Sequence, residues 1–138
     1  MLADGVNVLT SATAESISEQ KLDLADGRQV HFDRVLVAVG RTPRTDALSL
    51  ETAGVTLDDR GYVRVDPHLR SSNPRIWAAG DLTGHPQFTH TAGMHGSIAA
   101  TNAILGLRRS VAATGEPRVT FTDPEIAVVG ITPEPPAV

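Results

Sequence analysis

The chain has 138 residues, of which 41% are hydrophobic and 20% are charged. This length suits one packed domain or two incomplete ones, and the composition argues against extensive disorder. The net charge is −4, without a basic patch, a signal-peptide pattern or an apolar run of about 20 residues, so we expect a cytoplasmic protein with no nucleic-acid partner and no membrane span. The chain has no cysteine, which excludes disulfides and cysteine-based redox chemistry within these residues.

The pattern over residues 6–39 is typical of a β-rich region. A short apolar run, Val6–Leu9, is followed by two alternating segments on either side of Asp26-Gly27. Asp-Gly in this position predicts a hairpin, because a type I′ turn requires positive φ at both central residues. The apolar run Val35–Val39 then ends at Gly40, and its continuity favours a strand covered on both faces.

From residue 41 to residue 74 the sequence predicts a connector made of turns and short elements. Arg41–Arg44 and Asp58–Gly61 have turn compositions, and residues 47–53 suit one or two helical turns. The segment Tyr62–Val65 alternates, and a polar loop then leads into the next apolar run.

The most informative segment is Arg75–Asp81, where an apolar run ends in two alanines, a glycine and a carboxylate. We expect a buried strand that brings Asp81 to its C-terminal edge, where open α/β sheets bind ligands. Gly80 lacks the Cβ that would block a bulky ligand, and Asp81 can accept hydrogen bonds from ribityl or ribose hydroxyls. The alternative is a buried strand followed by an ordinary turn aspartate.

Residues 89–106 have the pattern of a helix, with Gly106 as a suitable C-terminal stop. Its three- to four-residue spacing is carried by Met94, Ile98, Thr101 and Leu105. Many of its other positions are small residues, and tight helix–sheet packing explains most of them better than the approach of a flat ligand.

The start of this helix is a second candidate site. A loop leads into Gln87, Phe88, Thr89 and His90. A helix N-terminus presents unpaired N–H groups and about half a positive charge, which can stabilise negative charge on a cofactor ring. Ordinary capping by Thr89 is the alternative.

The five histidines do not have the spacing of a metal site. His90 and His95 lie about 140° apart around the predicted helix, and no carboxylate completes a ligand set. The chain also has no glycine-rich nucleotide fingerprint, no P-loop and no nucleophile-elbow serine. We therefore assign no metal ligand and no catalytic residue, and interpret the histidines as structural or surface residues.

The C-terminal part begins with a linker over residues 107–117. Val119–Phe121 and Ile126–Gly130 have the composition of strands interrupted by Asp123-Pro124, and the tail from Pro133 is rich in proline. This arrangement predicts a third unit that is cut off at its start.

Three motifs, in this order and at this spacing, resemble a known family. They are Val35–Pro43, Ile76–Asp81 and Phe121–Gly130. Together they are similar to the pyridine nucleotide–disulfide oxidoreductases, which include dihydrolipoamide dehydrogenase, glutathione reductase and mercuric reductase. Residues 87–90, 96–100 and 102–103 resemble the mercuric reductase branch most.

The resemblance implies an α/β fold, namely a fragment of a Rossmann-like FAD/NAD(P)-binding oxidoreductase with a β-meander and the first strand of an α+β dimerisation domain. It implies that residues 1–45 are the C-terminal part of the NAD(P)-binding domain and 46–116 the C-terminal part of the FAD-binding domain. Residues 117–138 would start the dimerisation domain of a homodimeric parent.

The resemblance also implies a role for each candidate residue. Asp81, beside Gly80, would bind the ribityl hydroxyls of FAD, and Gly40 would lie against the nicotinamide nucleotide. The isoalloxazine ring would lie along the start of the helix, which comprises Gln87, Phe88, Thr89 and His90.

The departures from the family pattern are large. The chain lacks the FAD glycine-rich fingerprint, the NAD(P) glycine motif, the redox cysteine pair and the acid–base His–Glu pair. We expect a fragment of an FAD-dependent NAD(P)H oxidoreductase that passes electrons from nicotinamide through flavin to a disulfide or a metal ion. The fragment alone would be inactive and would bind FAD and NAD(P)H weakly or not at all.

Three alternatives remain. In the first, the parent is a dihydrolipoamide dehydrogenase- or glutathione reductase-type enzyme. In the second, it belongs to the monooxygenases or ferredoxin reductases, although the segment Phe121–Gly130 argues against this. In the third, the chain is a non-catalytic β-rich module that binds a nucleotide or a partner protein.

Overall fold

The computed structural model describes residues 4–111 and 115–130. The chain divides into two compact units, the first ending at Gly40 and the second beginning at Arg41. The domain boundary that the resemblance implies, after residue 45, stays a prediction. None of the helices in the described ranges has the length and apolarity that a membrane span requires.

The first unit contains a three-stranded antiparallel meander in the order β1-β2-β3. Its strands are β1 (Ala14–Ser18), β2 (Lys21–Leu24) and β3 (Gln29–His31). The sequence did not predict β1, because all of its residues are exposed and it has no alternating apolar face. Pairing with β2, across a bulge near its start, is what makes it a strand.

The hairpin predicted at Asp26-Gly27 is confirmed, but its turn is not type I′. Gly27 has a φ of 85°, whereas Asp26 does not have positive φ. The Gly27 N–H donates to the Leu24 carbonyl, and the Leu24 N–H donates to the Arg28 carbonyl. This pattern is that of a three-residue loop, in which a type I turn is followed by one left-handed residue.

The apolar run Val35–Val39 does not form the buried strand that its composition predicts. It has no strand pairing within the described residues, and the exposed fractions of Leu36 and Val39 are 89% and 91%. Val6–Leu9 is likewise exposed and has no strand assignment. A strand covered on both faces needs neighbouring strands and packed helices, and the described residues supply neither to this run.

The core of the second unit lies between the connector and a helix. Leu69 is fully buried, and Ile98 and Ala99 are buried beside it. Partly buried apolar residues surround these three, namely Val65, Trp77, Ala79 and Val111.

The connector is more irregular than predicted. It contains a short 3₁₀ helix, Asp46–Leu48, and three isolated bridges, which join Leu57 to Val63, Val65 to Ser71 and Arg70 to Trp77. The predicted buried strand at 76–80 is a half-buried extended segment held by the last of these bridges. One bridge suffices for an extended conformation but does not make a strand.

The predicted helix is confirmed as α1 (Thr89–Leu105), and Gly106 ends it in the left-handed conformation with its N–H on the Asn102 carbonyl. The inward face differs from the predicted one. Its buried residues are Thr91, His95, Ile98, Ala99 and Asn102. Leu105, which was expected inside, is 65% exposed. Apolar and polar residues are spread around the whole circumference of the helix, so the 3.6-residue pattern could not distinguish its faces.

Tight packing explains fewer of the small helix residues than expected. Ala92 touches the segment at Gly80, and Ala99 is buried in the core. A Cβ added at Gly93 or Gly96 would meet nothing within 4 Å. These two glycines therefore line an open face of the helix within the described structure.

The two predicted C-terminal strand pieces are confirmed with shorter bounds, as β4 (Arg118–Thr120) and β5 (Ile126–Val128), which pair antiparallel. The proline-rich tail from Pro133 and residues 112–114 of the linker lie outside the described residues. The assignment of 117–138 to a dimerisation domain stays a prediction.

Candidate functional site

The chain reverses direction immediately after Ala79, at the 3₁₀ helix Gly80–Thr83. Ala79 is extended, Gly80 has a φ of 74°, and Gly84 ends the turn in the left-handed conformation. The Thr83 hydroxyl donates to the Gly80 carbonyl over 2.7 Å and so closes the turn internally. Asp81 therefore lies in the first turn after the extended segment, half-exposed.

Gly80 is required here for two reasons that the sequence analysis did not give. Its positive φ disfavours any residue with a Cβ, and a Cβ built on it would lie 2.9 Å from the Cβ of Ala92 in α1. The expected reason was the approach of a bulky ligand, but Ala92 fills that space. The structure thus shows a packing role for Gly80, and its contact with a cofactor stays a prediction.

Arg41 connects the two halves of the candidate site. Its Nη1 lies 3.4 Å from Oδ2 of Asp81, and its Nη2 donates to the carbonyl of Gln87 over 2.5 Å. Both charged side chains are well exposed, so the ion pair stabilises the fold only slightly. Sequence reasoning interpreted Arg41 only as part of a turn, although it follows Gly40 in the first family motif.

The start of α1 does not have the side-chain cap that the alternative interpretation predicted. The N-cap residue of α1 is Phe88, and no side chain caps the helix, so capping by Thr89 is wrong. The rings of Phe88 and His90 stack at 5.3 Å with an interplanar angle of 11°. Nε2 of His90 lies 2.8 Å from the Pro117 carbonyl, which fixes its ring. This end of the helix thus presents a flat aromatic pair and backbone N–H groups without a side-chain cap.

A buried histidine lies behind the Gly80–Thr83 turn. His95 is fully buried, and its Nδ1 accepts the Gly80 N–H over 3.4 Å. Burial lowers the pKa of His95 below its ordinary value of 6.5, the nearby His85 adds to this lowering, and Glu116 opposes it. The sequence predicted only that His95 is a structural or a surface residue, since an isolated histidine in a predicted helix has no distinguishing pattern.

His90 and His95 point to different parts of the structure, whereas His85 meets the His95 ring edge-on at 4.8 Å. His90 contacts Pro117, whereas His95 points to Gly80, as the helical spacing predicted. Residues 4–111 and 115–130 contain no group of three or more His, Asp or Glu side chains suited to a metal ion.

The structure brings most of the candidate residues together, but not all of them. Gly80, Asp81 and the helix start from Gln87 to His90 lie together in the second unit, linked by Arg41. Gly40 ends the first unit, where it is exposed with a φ of 121°. The second unit therefore brings all the candidate residues except Gly40 together, and their roles, like that of Gly40, stay predictions.

The candidate residues place a carboxylate acceptor beside backbone donors, and their role in holding a ligand stays a prediction. Within the described residues, Oδ1 of Asp81 receives no protein hydrogen bond, so it can accept one from a hydroxyl. The helix start beside it offers N–H groups that favour a partly negative oxygen or nitrogen.

A family model described as pyridine nucleotide-disulphide oxidoreductase matches residues 1–96. The chain belongs to this family. The family binds FAD, and its full-length members use NAD(P)H. The chain's α/β fold is thus that of a fragment of an FAD/NAD-binding disulphide oxidoreductase.

Individual relatives agree with this assignment. The chain is 50% identical over 105 residues to a mercuric reductase of Streptomyces lividans, covering 76% of the chain and 22% of that enzyme. It is 40% identical over 134 residues to a dihydrolipoyl dehydrogenase of Pseudomonas aeruginosa, covering 94% and 28% respectively. The crystal structure of LpdA from Mycobacterium tuberculosis matches with a TM-score of 0.88 at 32% identity, covering 94% of the chain and 29% of that protein. The chain thus spans 22% to 29% of the length of these relatives.

Proposed function

We propose that this chain is part of an FAD-dependent NAD(P)H oxidoreductase of the mercuric reductase type. The whole enzyme passes electrons from nicotinamide through flavin to a metal ion or a disulfide. The observation that carries the proposal is the 50% identity to the Streptomyces lividans mercuric reductase. The second candidate is a dihydrolipoyl dehydrogenase-type enzyme, which the 40% identity to the Pseudomonas aeruginosa protein favours.

In this proposal the second unit holds part of the FAD. Asp81 accepts hydrogen bonds from the ribityl hydroxyls, and the Gly80–Thr83 turn fixes its position. The start of α1, from Gln87 to His90, lies along the ring system and stabilises negative charge at its N1–C2 edge. Gly40 borders the nicotinamide nucleotide. When bound, FAD supplies the chemistry by accepting hydride and passing electrons on.

The residues of this chain bind and orient but do not complete the reaction. With no cysteine among its 138 residues, the chain cannot exchange a disulfide or hold a metal-ion substrate on thiolates. We therefore propose that the chain alone is inactive and that its affinity for FAD is low, because the glycine-rich fingerprint is missing from it.

We also propose that the parent enzyme is a cytoplasmic homodimer whose interface includes the β4–β5 hairpin. Support comes from the exposed apolar side chains of this hairpin and its surroundings, Phe121, Ile126 and Val129. Exposed apolar residues clustered on a short hairpin are typical of a surface that is buried in an assembly.

The first test reads the genomic DNA on both sides of this frame. We expect an upstream cysteine pair with four residues between the cysteines, together with a glycine-rich fingerprint near the N-terminus. Uninterrupted unrelated sequence on both sides would contradict the proposal, and it would favour the non-catalytic module instead.

The second test titrates FAD into the purified chain and follows flavin fluorescence. Asp81→Asn removes the proposed acceptor charge, and Asp59→Asn, at an exposed position, makes the same charge change away from the site. We expect weak binding that Asp81→Asn reduces about tenfold and Asp59→Asn leaves unchanged. A yellow protein that purifies with stoichiometric FAD would contradict the proposed weak binding, and equal effects of both variants would contradict the role of Asp81.

A further inference from the structure

Both main-chain polar groups of Gly80 are held by side chains. Its N–H donates to Nδ1 of His95 over 3.4 Å, and its carbonyl accepts the Thr83 hydroxyl over 2.7 Å. Because the next residue is Asp81, these two bonds fix the backbone from which the Asp81 side chain extends. The position of the proposed polyol acceptor therefore depends on a buried histidine that does not itself reach the site.

The hydrogen bonds show which ring nitrogen carries the proton in the neutral forms of His95 and His85, the two histidines near this turn. Since Nδ1 of His95 accepts from Gly80, its proton lies on Nε2, which has no partner within the described residues. The only hydroxyl proton of Thr83 goes to the Gly80 carbonyl, so its oxygen accepts from Nδ1–H of His85 over 2.9 Å. His85 thus supports the same turn from the other side.

Protonation of His95 would reverse the character of its Nδ1. A protonated ring places an N–H against the Gly80 N–H, so two donors face each other and the hydrogen bond is lost. The ring is fully buried, so its charge would also lack water. The turn that carries Asp81 must then move, or the ring must leave its pocket.

We propose that neutral His95 is a positioning residue for Asp81, and that protonation of His95 releases the Gly80–Thr83 turn and weakens the binding of polyol hydroxyls at Asp81. The binding of polyol hydroxyls at Asp81 rests on the proposed function, whereas the positioning of the turn by His95 does not. Acidic pH would thus lower the affinity of the site by displacing the turn that carries Asp81.

Of the charged and titratable groups around His95, one disfavours its protonation and another favours it. His85 meets the His95 ring edge-on at 4.8 Å and disfavours a second positive charge. Glu116, which accepts a hydrogen bond from Thr91 one turn before His95, favours the charge. Burial and His85 outweigh Glu116, and the pKa of His95 lies below its ordinary value.

The primary test is an NMR pH titration of the ¹⁵N-labelled chain. We expect the Gly80 and Asp81 amide signals to shift with the same midpoint as the His95 ring signals, below the ordinary value of 6.5. The hydrogen-exchange protection of Gly80 should fall about threefold to tenfold through this transition. The wild-type chain alone can therefore overturn the proposal. It would do so if the Gly80 amide signal did not titrate, or if it followed the His85 ring instead.

A matched pair of variants separates the two ring nitrogens. His95→Asn keeps an acceptor near the position of Nδ1 but cannot titrate, whereas His95→Gln carries its acceptor nearer to the position of Nε2. We expect the Gly80 protection to persist in His95→Asn, independent of pH, and to be lost at every pH in His95→Gln. Equal protection in the two variants, or a Gly80 titration that persists in His95→Asn, would contradict the proposal.

His85→Asn is the control for the neighbouring ring. It removes the repulsive neighbour, so the Gly80 titration should remain and its midpoint should rise. Loss of the titration in this variant would mean that His85, and not His95, is the group that controls the turn.

Binding of FAD at low and neutral pH completes the test. We expect the dissociation constant of the wild-type chain to increase about threefold to tenfold on acidification, and that of His95→Asn to stay constant. If the Gly80 titration is present but the dissociation constant of FAD does not change with pH, the positioning role stands and its coupling to the proposed FAD contact fails.

Discussion

Two apolar segments of this chain end at a glycine, and they fold differently. Val35–Val39 is exposed and unpaired within the described residues, although it is the more hydrophobic of the two. The segment 76–79 is half-buried, because Trp77 pairs with Arg70 and packs on the core around Leu69. Hydrophobicity alone therefore does not place a segment inside; a neighbour in the same folded unit does.

The largest expected effect compares one leucine from each region. Leu69→Ala removes a fully buried side chain, and we expect it to lower the free energy of unfolding by about 2–5 kcal/mol. Leu36→Ala makes the same change at a position that is 89% exposed, and its effect should be within about 0.5 kcal/mol. Urea unfolding followed by circular dichroism measures both. A comparable loss in the two variants would mean that Val35–Val39 is buried in solution, and the contrast would fail.

The glycine that ends the half-buried segment gives the second effect. Gly80→Ala combines an unfavourable φ with a Cβ only 2.9 Å from Ala92, so we expect a loss of about 1–3 kcal/mol. The control is Gly93→Ala in the same helix as Ala92, where the new methyl meets nothing within 4 Å. It should stabilise the protein by about 0.5–1 kcal/mol, because alanine favours the helix. Thermal unfolding of both variants checks the opposite signs, and a neutral Gly80→Ala would show that the turn relaxes freely.

The sequence predicted the elements whose signals are local. The hairpin at Asp26-Gly27 and the helix stop at Gly106 follow from glycine conformation, and the family motifs followed from residue order. What it missed depends on tertiary contacts. The buried face of α1 includes His95 because the Gly80–Thr83 turn packs against it. The role of Arg41 requires Asp81, forty positions further along the chain, to be folded beside it.

The two regions should also differ in their dependence on pH. The pKa of His95, in the second unit, is lowered mainly by burial, so the unfolded chain binds more protons than the folded chain below about pH 6.5. The free energy of unfolding should therefore decrease as the pH falls from 6.5 through the folded pKa of His95. His95→Asn should remove this decrease, which unfolding curves at several pH values will show.

Carboxylates of the first unit titrate in a separate window. The pKa of Asp23 is lowered mainly by the Ser16 hydroxyl, and that of Asp26 mainly by Arg28. Their contribution is present above 3.8, the ordinary value, and is lost as the pH falls through the lowered folded values. A loss of stability just below pH 6.5 that persists in His95→Asn would therefore contradict the assignment to His95, because the pKa values of both carboxylates lie below 3.8.

The smallest expected effect concerns the ion pair between Arg41 and Asp81. Arg41→Gln removes its contacts with Asp81 and the Gln87 carbonyl, and Arg44→Gln makes the same charge change at a nearby exposed residue. Because the pair is solvent-exposed, we expect Arg41→Gln to cost at most about 1 kcal/mol, less at high salt, and Arg44→Gln to cost nothing measurable. The informative readout is local: the amide signals of Asp81 and Gln87 should shift in Arg41→Gln alone. If they do not, the turn and the helix start are held by packing at Gly80 and Ala92, and Arg41 only covers them.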